Sequence, residues 1–124
     1  MKKENIIMTK SYNFALRIVK AYKYLSEEKR EFVLSKQLLR SGTAVGALLK
    51  ESEQAQSMRD FINKVNIALK EANETEYWLT LLKDSKYLNE KSFVSINNDC
   101  IELIKLLISI LKTSKQNVNK QYQY

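Results

Sequence analysis

The sequence predicts an all-α protein, an up-down-up-down bundle of four helices. Three observations lead there. The 124 residues contain no proline and two glycines, so the punctuation that a many-turned β fold needs is missing. Four segments repeat apolar residues at helical spacing. Short polar connectors separate them, which makes sequential antiparallel packing the economical arrangement. At 44% hydrophobic and 28% charged residues, the chain is also too apolar for intrinsic disorder. One domain is expected, with the bundle over residues 11–112, an N-terminal extension over 1–10 and a flexible polar tail over 113–124.

The first helix is expected over Ser11 to Leu25, where Phe14, Ile18, Ala21 and Leu25 share a face that Ala15, Val19 and Tyr22 widen. On the opposite side Lys10, Asn13, Arg17, Lys20 and Tyr24 fall within about 80° of one another at 100° per residue. That face is either solvated or a stripe that meets phosphates.

A charged connector, Ser26 to Glu31, leads to a second helix that starts between Phe32 and Ser35, with Ser35 as the N-cap. Its core face is Leu34, Leu38, Gly42, Val45 and Leu49. Both glycines of the protein sit in this helix, four residues apart. Each costs about 1 kcal/mol relative to alanine in a helix interior, so Gly42 and Gly46 point to a neighbouring helix that crosses closely.

The third helix opens on Ser57-Met58-Arg59-Asp60, a variant of the capping box. Phe61, Val65, Ala68, Ala72, Thr75, Leu79 and Leu82 then form a seam of alternating four- and three-residue steps. Ile67, Trp78 and Leu81 lie off that seam and would be exposed on a lone bundle, so either a wide core reaches round to cover them or they form a subunit interface. Asn89 can cap the fourth helix, whose face is Phe93, Ile96, Cys100, Leu103, Leu107 and Ile110, broadened by Ile101, Ile104, Ile108 and Leu111. Helices apolar over so much of their circumference imply a homo-oligomer.

Much chemistry is excluded by composition. There is no histidine, which removes the Ser-His-Asp and Cys-His triads and imidazole metal ligands. Cys100 is a lone thiol, unable to form an internal disulfide or a zinc cage, and its core-facing position makes it a small hydrophobe. Carboxylate-bridged metal sites of helical bundles need Glu-x-x-His, whereas Glu71 is followed by Glu74. No catalytic residue, metal, cofactor or small-molecule substrate is therefore expected, and the protein is read as a non-enzyme. The N-terminus lacks the apolar core of an export signal. The most apolar stretch, Ile101 to Leu111, is short and interrupted by Glu102 and Lys105. A cytoplasmic protein with no membrane partner is expected.

Three runs, Lys36-Gln37-Leu38-Leu39-Arg40-Ser41-Gly42-Thr43, Ala55-Gln56-Ser57-Met58-Arg59-Asp60-Phe61 and Ala68 to Leu79, closely resemble the bacterial 23S rRNA intervening sequence proteins. The likeness runs from about Phe14 to Lys115. It implies a four-helix bundle and association into a homo-pentamer. Accessory proteins of diversity-generating retroelements look similar, and for them nucleic-acid binding by a basic barrel is part of the picture. One departure stands out. The family pattern continues Ser-Ile-Gly-Ala-Asn-Ile after Arg-Ser-Gly-Thr, a polar stripe with Gln37 and Ser41, but here Ala44 and Leu48 replace the serine and asparagine. Leu48 must then find an apolar neighbour or lie exposed.

Charge completes the reading. The formal net charge is +7, concentrated in residues 1–50, which carry 11 basic and 4 acidic side chains, while residues 51–85 are net negative. A pentamer would hold roughly 35 positive charges, enough to attract polyanions. RNA or DNA, bound through phosphates, is the expected partner besides the chain itself. Lys10, Arg17, Lys20, Lys36, Arg40 and Lys50 are the candidate contacts. No motif of sequence-specific readout is present. Tyrosines and Trp78 could stack on bases, with Tyr12, Tyr22 and Tyr77 expected to be partly buried. A second reading makes the protein an interaction module that docks a different protein on Ile67, Trp78 and Leu81.

Overall fold

The computed structural model describes residues 3–121, and side chains from 6 to 120. Among them there are four α-helices and no strand: α1 (Lys3–Lys23), α2 (Leu34–Ser52), α3 (Met58–Asp84) and α4 (Glu90–Gln121), with a wider π turn, Tyr24–Glu28, continuing α1. Successive helices pack on one another, and α1 closes the bundle against α4. The apolar face of each helix turns inward, where all four are buried against one another. Phe14, Ile18 and Leu25 from α1 and its π turn, Leu38, Val45 and Leu49 from α2, Val65, Ala72, Leu79 and Leu82 from α3, and Ile96, Leu103, Leu107 and Ile110 from α4 form one continuous core.

Both ends of the bundle depart from the expected boundaries. α1 begins at Lys3 rather than Ser11, since Ile7 is fully buried and extends the apolar stripe of Phe14 and Ile18 upstream. Ile7 and Met8 line, with Leu49, Phe61, Val65 and Ile110, a cavity of about 410 Å³ at that end. α4 runs on to Gln121, past the polar change at Thr113, with Ser114 still buried. Met1 and Lys2 of the expected extension, and residues 122–124 of the expected tail, lie outside the described residues.

The start of α2 differs as well. Ser35 lies inside the helix, and the cap is Glu31. Its Oε2 accepts from the amides of Val33 (3.2 Å) and Leu34 (3.0 Å), its Oε1 accepts from the amide of Ser35 (2.7 Å), and its carbonyl accepts from the Ser35 hydroxyl at 2.7 Å. A carboxylate at a helix N-terminus satisfies amides that otherwise lack partners and meets the positive end of the helix dipole. Burial alone would push the Glu31 carboxyl up, but these hydrogen bonds more than offset it and hold its pKa below the ordinary value of 4.5. The other two caps follow the sequence: Ser57 Oγ accepts from the Asp60 amide at 3.0 Å, and Asn89 Oδ1 from the Ser92 amide at 2.8 Å.

α1 crosses α2 at the two glycines. A Cβ on Gly42 would lie 2.7 to 2.9 Å from three side-chain atoms of Ile18, and one on Gly46 would lie 3.4 Å from the carbonyl oxygen of Ser11. The fully buried Ile18 side chain thus occupies the space a side chain would need at position 42. Across α2 and α3, the hydroxyls of Ser41 and Thr75 share a buried hydrogen bond of 2.9 Å. Beyond them Leu48 packs against the core, so the leucine at that position has found an apolar neighbour.

Three substitutions test this packing and the cap of α2. Gly42→Ala puts its methyl group under 3.0 Å from three atoms of the fully buried Ile18 side chain, which must shift, and urea unfolding should show a loss of about 1–3 kcal/mol. Gly46→Ala meets only an ordinary contact and gains helix propensity, so its stability should equal or exceed that of the parent. Glu31→Gln should lower stability at pH 7 by about 1–2 kcal/mol, through the weakened cap. Because the folded-state pKa is depressed, the advantage of Glu31 is present above its unfolded pKa. It fades as pH falls through its folded value, so the difference in Tm between parent and variant should shrink below about pH 4.5.

Candidate nucleic-acid interface

The six candidate cations divide into two groups. On α1, Lys10 pairs with Glu102 of α4 at 3.2 Å. Arg17 pairs with Asp99 at 2.7 Å and donates to the carbonyl (3.1 Å) and hydroxyl (2.9 Å) of Ser95. On α2, Arg40 reaches Glu74 at 2.8 Å and Glu71 at 3.9 Å, and Lys50 lies 3.5 Å from Glu53. Those four spend charge on carboxylates that α3, α4 and the end of α2 present to them. All the pairs are partly solvated, so each is worth at most about 1 kcal/mol. Lys20 and Lys36 are exposed and make no ion pair within 4.0 Å among the described residues.

The basic face of α1 is therefore not uniform. Its N-terminal half is stitched to α4, whereas its C-terminal half, Lys20 and Tyr24, opens into a cleft of about 540 Å³ between α1 and the first turns of α4. Lys91, Ser92 and Ser95 face it from α4, and Ala21, Leu88 and Ile96 supply apolar lining. Lys91 was not singled out by the sequence. An up-down-up-down order makes α1 and α4 antiparallel neighbours, so the pairing of Lys20 with the start of the fourth helix was available as a signal. It requires the tertiary arrangement rather than any local motif.

The off-seam residues Ile67, Trp78 and Leu81 are half-buried rather than exposed. Trp78 packs against the core, donates its indole N–H to Glu74 Oε2 at 3.3 Å and meets Tyr77 edge-on at 5.0 Å. The strongly exposed aliphatic and phenyl groups lie elsewhere, on Leu16 of α1, on Phe32 and Val33 before α2, and on Val94 and Ile108 of α4. Tyr12 and Tyr77, expected to be partly buried, are 64% and 59% exposed, because each sits on the outer side of its helix. Tyr22 is half-buried.

The remaining reactive group is sealed. Cys100 is fully buried, its thiol donates to the Ala72 carbonyl at 3.3 Å, and burial together with nearby Glu76 pushes its pKa up to about 12. At neutral pH it is a thiol, which is the unreactive form. No cluster of three or more His, Cys, Asp or Glu that could hold a metal ion occurs among the described residues. No described helix is long and apolar enough to cross a membrane.

Comparison with known proteins places these features in a lineage. No curated protein matches the chain. A crystal structure of a protein with unknown function from the S23 ribosomal protein family of Bacteroides thetaiotaomicron VPI-5482 is similar at 60% sequence identity, with a TM-score of 0.89, over 90% of this chain and 99% of that one. The family model for 23S rRNA-intervening sequence protein matches residues 3–109, which takes in α1, α2, α3 and most of α4. By that match the chain belongs to the 23S rRNA-intervening sequence protein family.

Proposed function

We propose that the protein is a non-enzymatic, self-associating basic bundle that binds RNA or DNA through phosphates and without base-specific readout. The observation that carries this reading is the set of exposed cations left over once the ion pairs are formed. That set includes Lys20, Lys23, Lys36, Lys91, Lys105 and Lys112, which are exposed and make no ion pair among the described residues. A net charge of +7 on 124 residues leaves such groups without internal compensation. Mobile ammonium groups on helix surfaces suit a repeating anionic backbone, which asks for charge at intervals rather than for fixed geometry.

Self-association is supported by α4. Val94, Ile101 and Ile108 recur at seven-residue steps on one flank, with Ile104 between them, and Val94 and Ile108 are 43% and 51% exposed. A seven-residue apolar repeat left outside the core is the pattern by which helices pair with further helices. Assembly as a pentamer, with nucleic acid on its basic exterior, is the arrangement this reading adopts.

Two experiments test it. Titration of a fluorescent single-stranded RNA should give binding that weakens about 20-fold between 50 and 200 mM salt if three phosphates are neutralised. Absence of binding at low salt, or binding indifferent to salt, overturns the nucleic-acid part. Light scattering should give a mass several times 14.5 kDa, falling to the protomer value for Ile108→Glu. A parent protein that scatters as a monomer overturns the assembly.

A further inference from the structure

The cleft between α1 and α4 has the composition of a small binding site, and the structure assigns it a ligand class. Three cations reach it: Lys20, Lys91 and Arg17. No carboxylate is among its lining residues. The Asp99 carboxylate is held away on Arg17 at 2.7 Å, and the same guanidinium is fixed by the Ser95 carbonyl and hydroxyl. Two lysines brought to one concavity without an acid between them repel each other in the free protein, and an anion that enters relieves that repulsion. Asn89 already takes the Ser92 amide at 2.8 Å, so that amide is not open to such an anion, and the formal positive charge that meets it is on side chains. Lys20 and Lys91 supply it, and the Ser92 hydroxyl can donate.

The rest of the cleft is unlike a bare phosphate site. Tyr24 stands at its edge, 42% exposed, and Ala21, Leu88 and Ile96 give it an apolar wall. Lys29 lies 5.9 Å from the centroid of the Tyr24 ring, so that ring already works as a cation–π surface. A volume of about 540 Å³ exceeds what inorganic phosphate needs and is within the range that takes a small organic ligand. A planar base against Tyr24 with its phosphate between the two lysines uses every one of these groups. We infer that the cleft binds one nucleoside monophosphate unit, either as a free mononucleotide or as one residue of a single strand. The inference deepens the phosphate-binding reading above and rests on it for the strand as source.

The test uses the full chain and calorimetric titration at low salt with adenosine 5′-monophosphate, adenosine, inorganic phosphate and a 5′-phosphorylated single-stranded RNA. The monophosphate should bind more tightly than adenosine or phosphate alone. Lys20→Gln combined with Lys91→Gln should weaken it at least tenfold, while Lys70→Gln with Lys115→Gln, an equal loss of charge at exposed lysines outside the cleft, should leave it unchanged. Tyr24→Leu should weaken the monophosphate and not phosphate. Monophosphate binding no tighter than phosphate, or equal in the two double variants, overturns the assignment. If RNA binds the parent and the cleft variant equally while the monophosphate does not bind, the cleft is refuted and the wider reading stands. If the monophosphate binds as expected and RNA does not, the cleft stands as a mononucleotide site and the wider reading is refuted.

Discussion

The close approach of α1 to α2 governs the rest of the molecule. It exists because position 42 carries no side chain, and Ile18 fills the space that is left. Once Ile18 is seated, the rotation of α1 about its axis is fixed. Phe14 and Leu25 then point into the core, and Lys10 and Arg17 point at α4. The same rotation carries Lys20 and Tyr24 past the last ion pair and into the open cleft. A packing constraint on one helix pair therefore decides which basic residues are neutralised and which remain available.

The charges of this protein consequently do two different jobs. Lys10, Arg17, Arg40, Lys64 and Lys50 sit beside carboxylates, most of them on a neighbouring helix, and help set register at small energetic gain. The unpaired lysines give the exterior its positive potential, which stabilises nothing in the fold and raises the concentration of anions at the surface. Net charge alone does not distinguish these roles. The distinction requires knowing which helices are neighbours and at what height along the bundle each cation sits.

Much of the architecture was legible in the residues. The seam from Val65 to Leu82 and the face from Ile96 to Ile110 are buried as their periodicity requires, and Ser57 and Asn89 cap as their types suggest. What could not be read follows a common cause. Ile7 belongs to the core although only one apolar cluster precedes Ser11, because neighbouring helices cover it. Glu31 replaces Ser35 as cap because a longer side chain folds back from the turn, and such a reach is not encoded in a local propensity. At the site, Lys10 and Arg17 resembled free phosphate contacts because Glu102 and Asp99 lie more than 80 residues away in sequence. Lys91 went unnoticed for the same reason. Trp78 looked stranded off the seam, yet its width lets it lean onto the core while Glu74 takes its N–H.

The division of cations into paired and unpaired classes is the central claim, and lysine-modification footprinting of the full chain with and without a short single-stranded RNA tests it most directly. Each lysine reports on itself whatever the size of the assembly. The account predicts that RNA protects Lys20, Lys36, Lys91 and Lys112 and leaves Lys10 and Lys64 unchanged. Protection of Lys10 and Lys64 to the same extent, or protection of none, would contradict it.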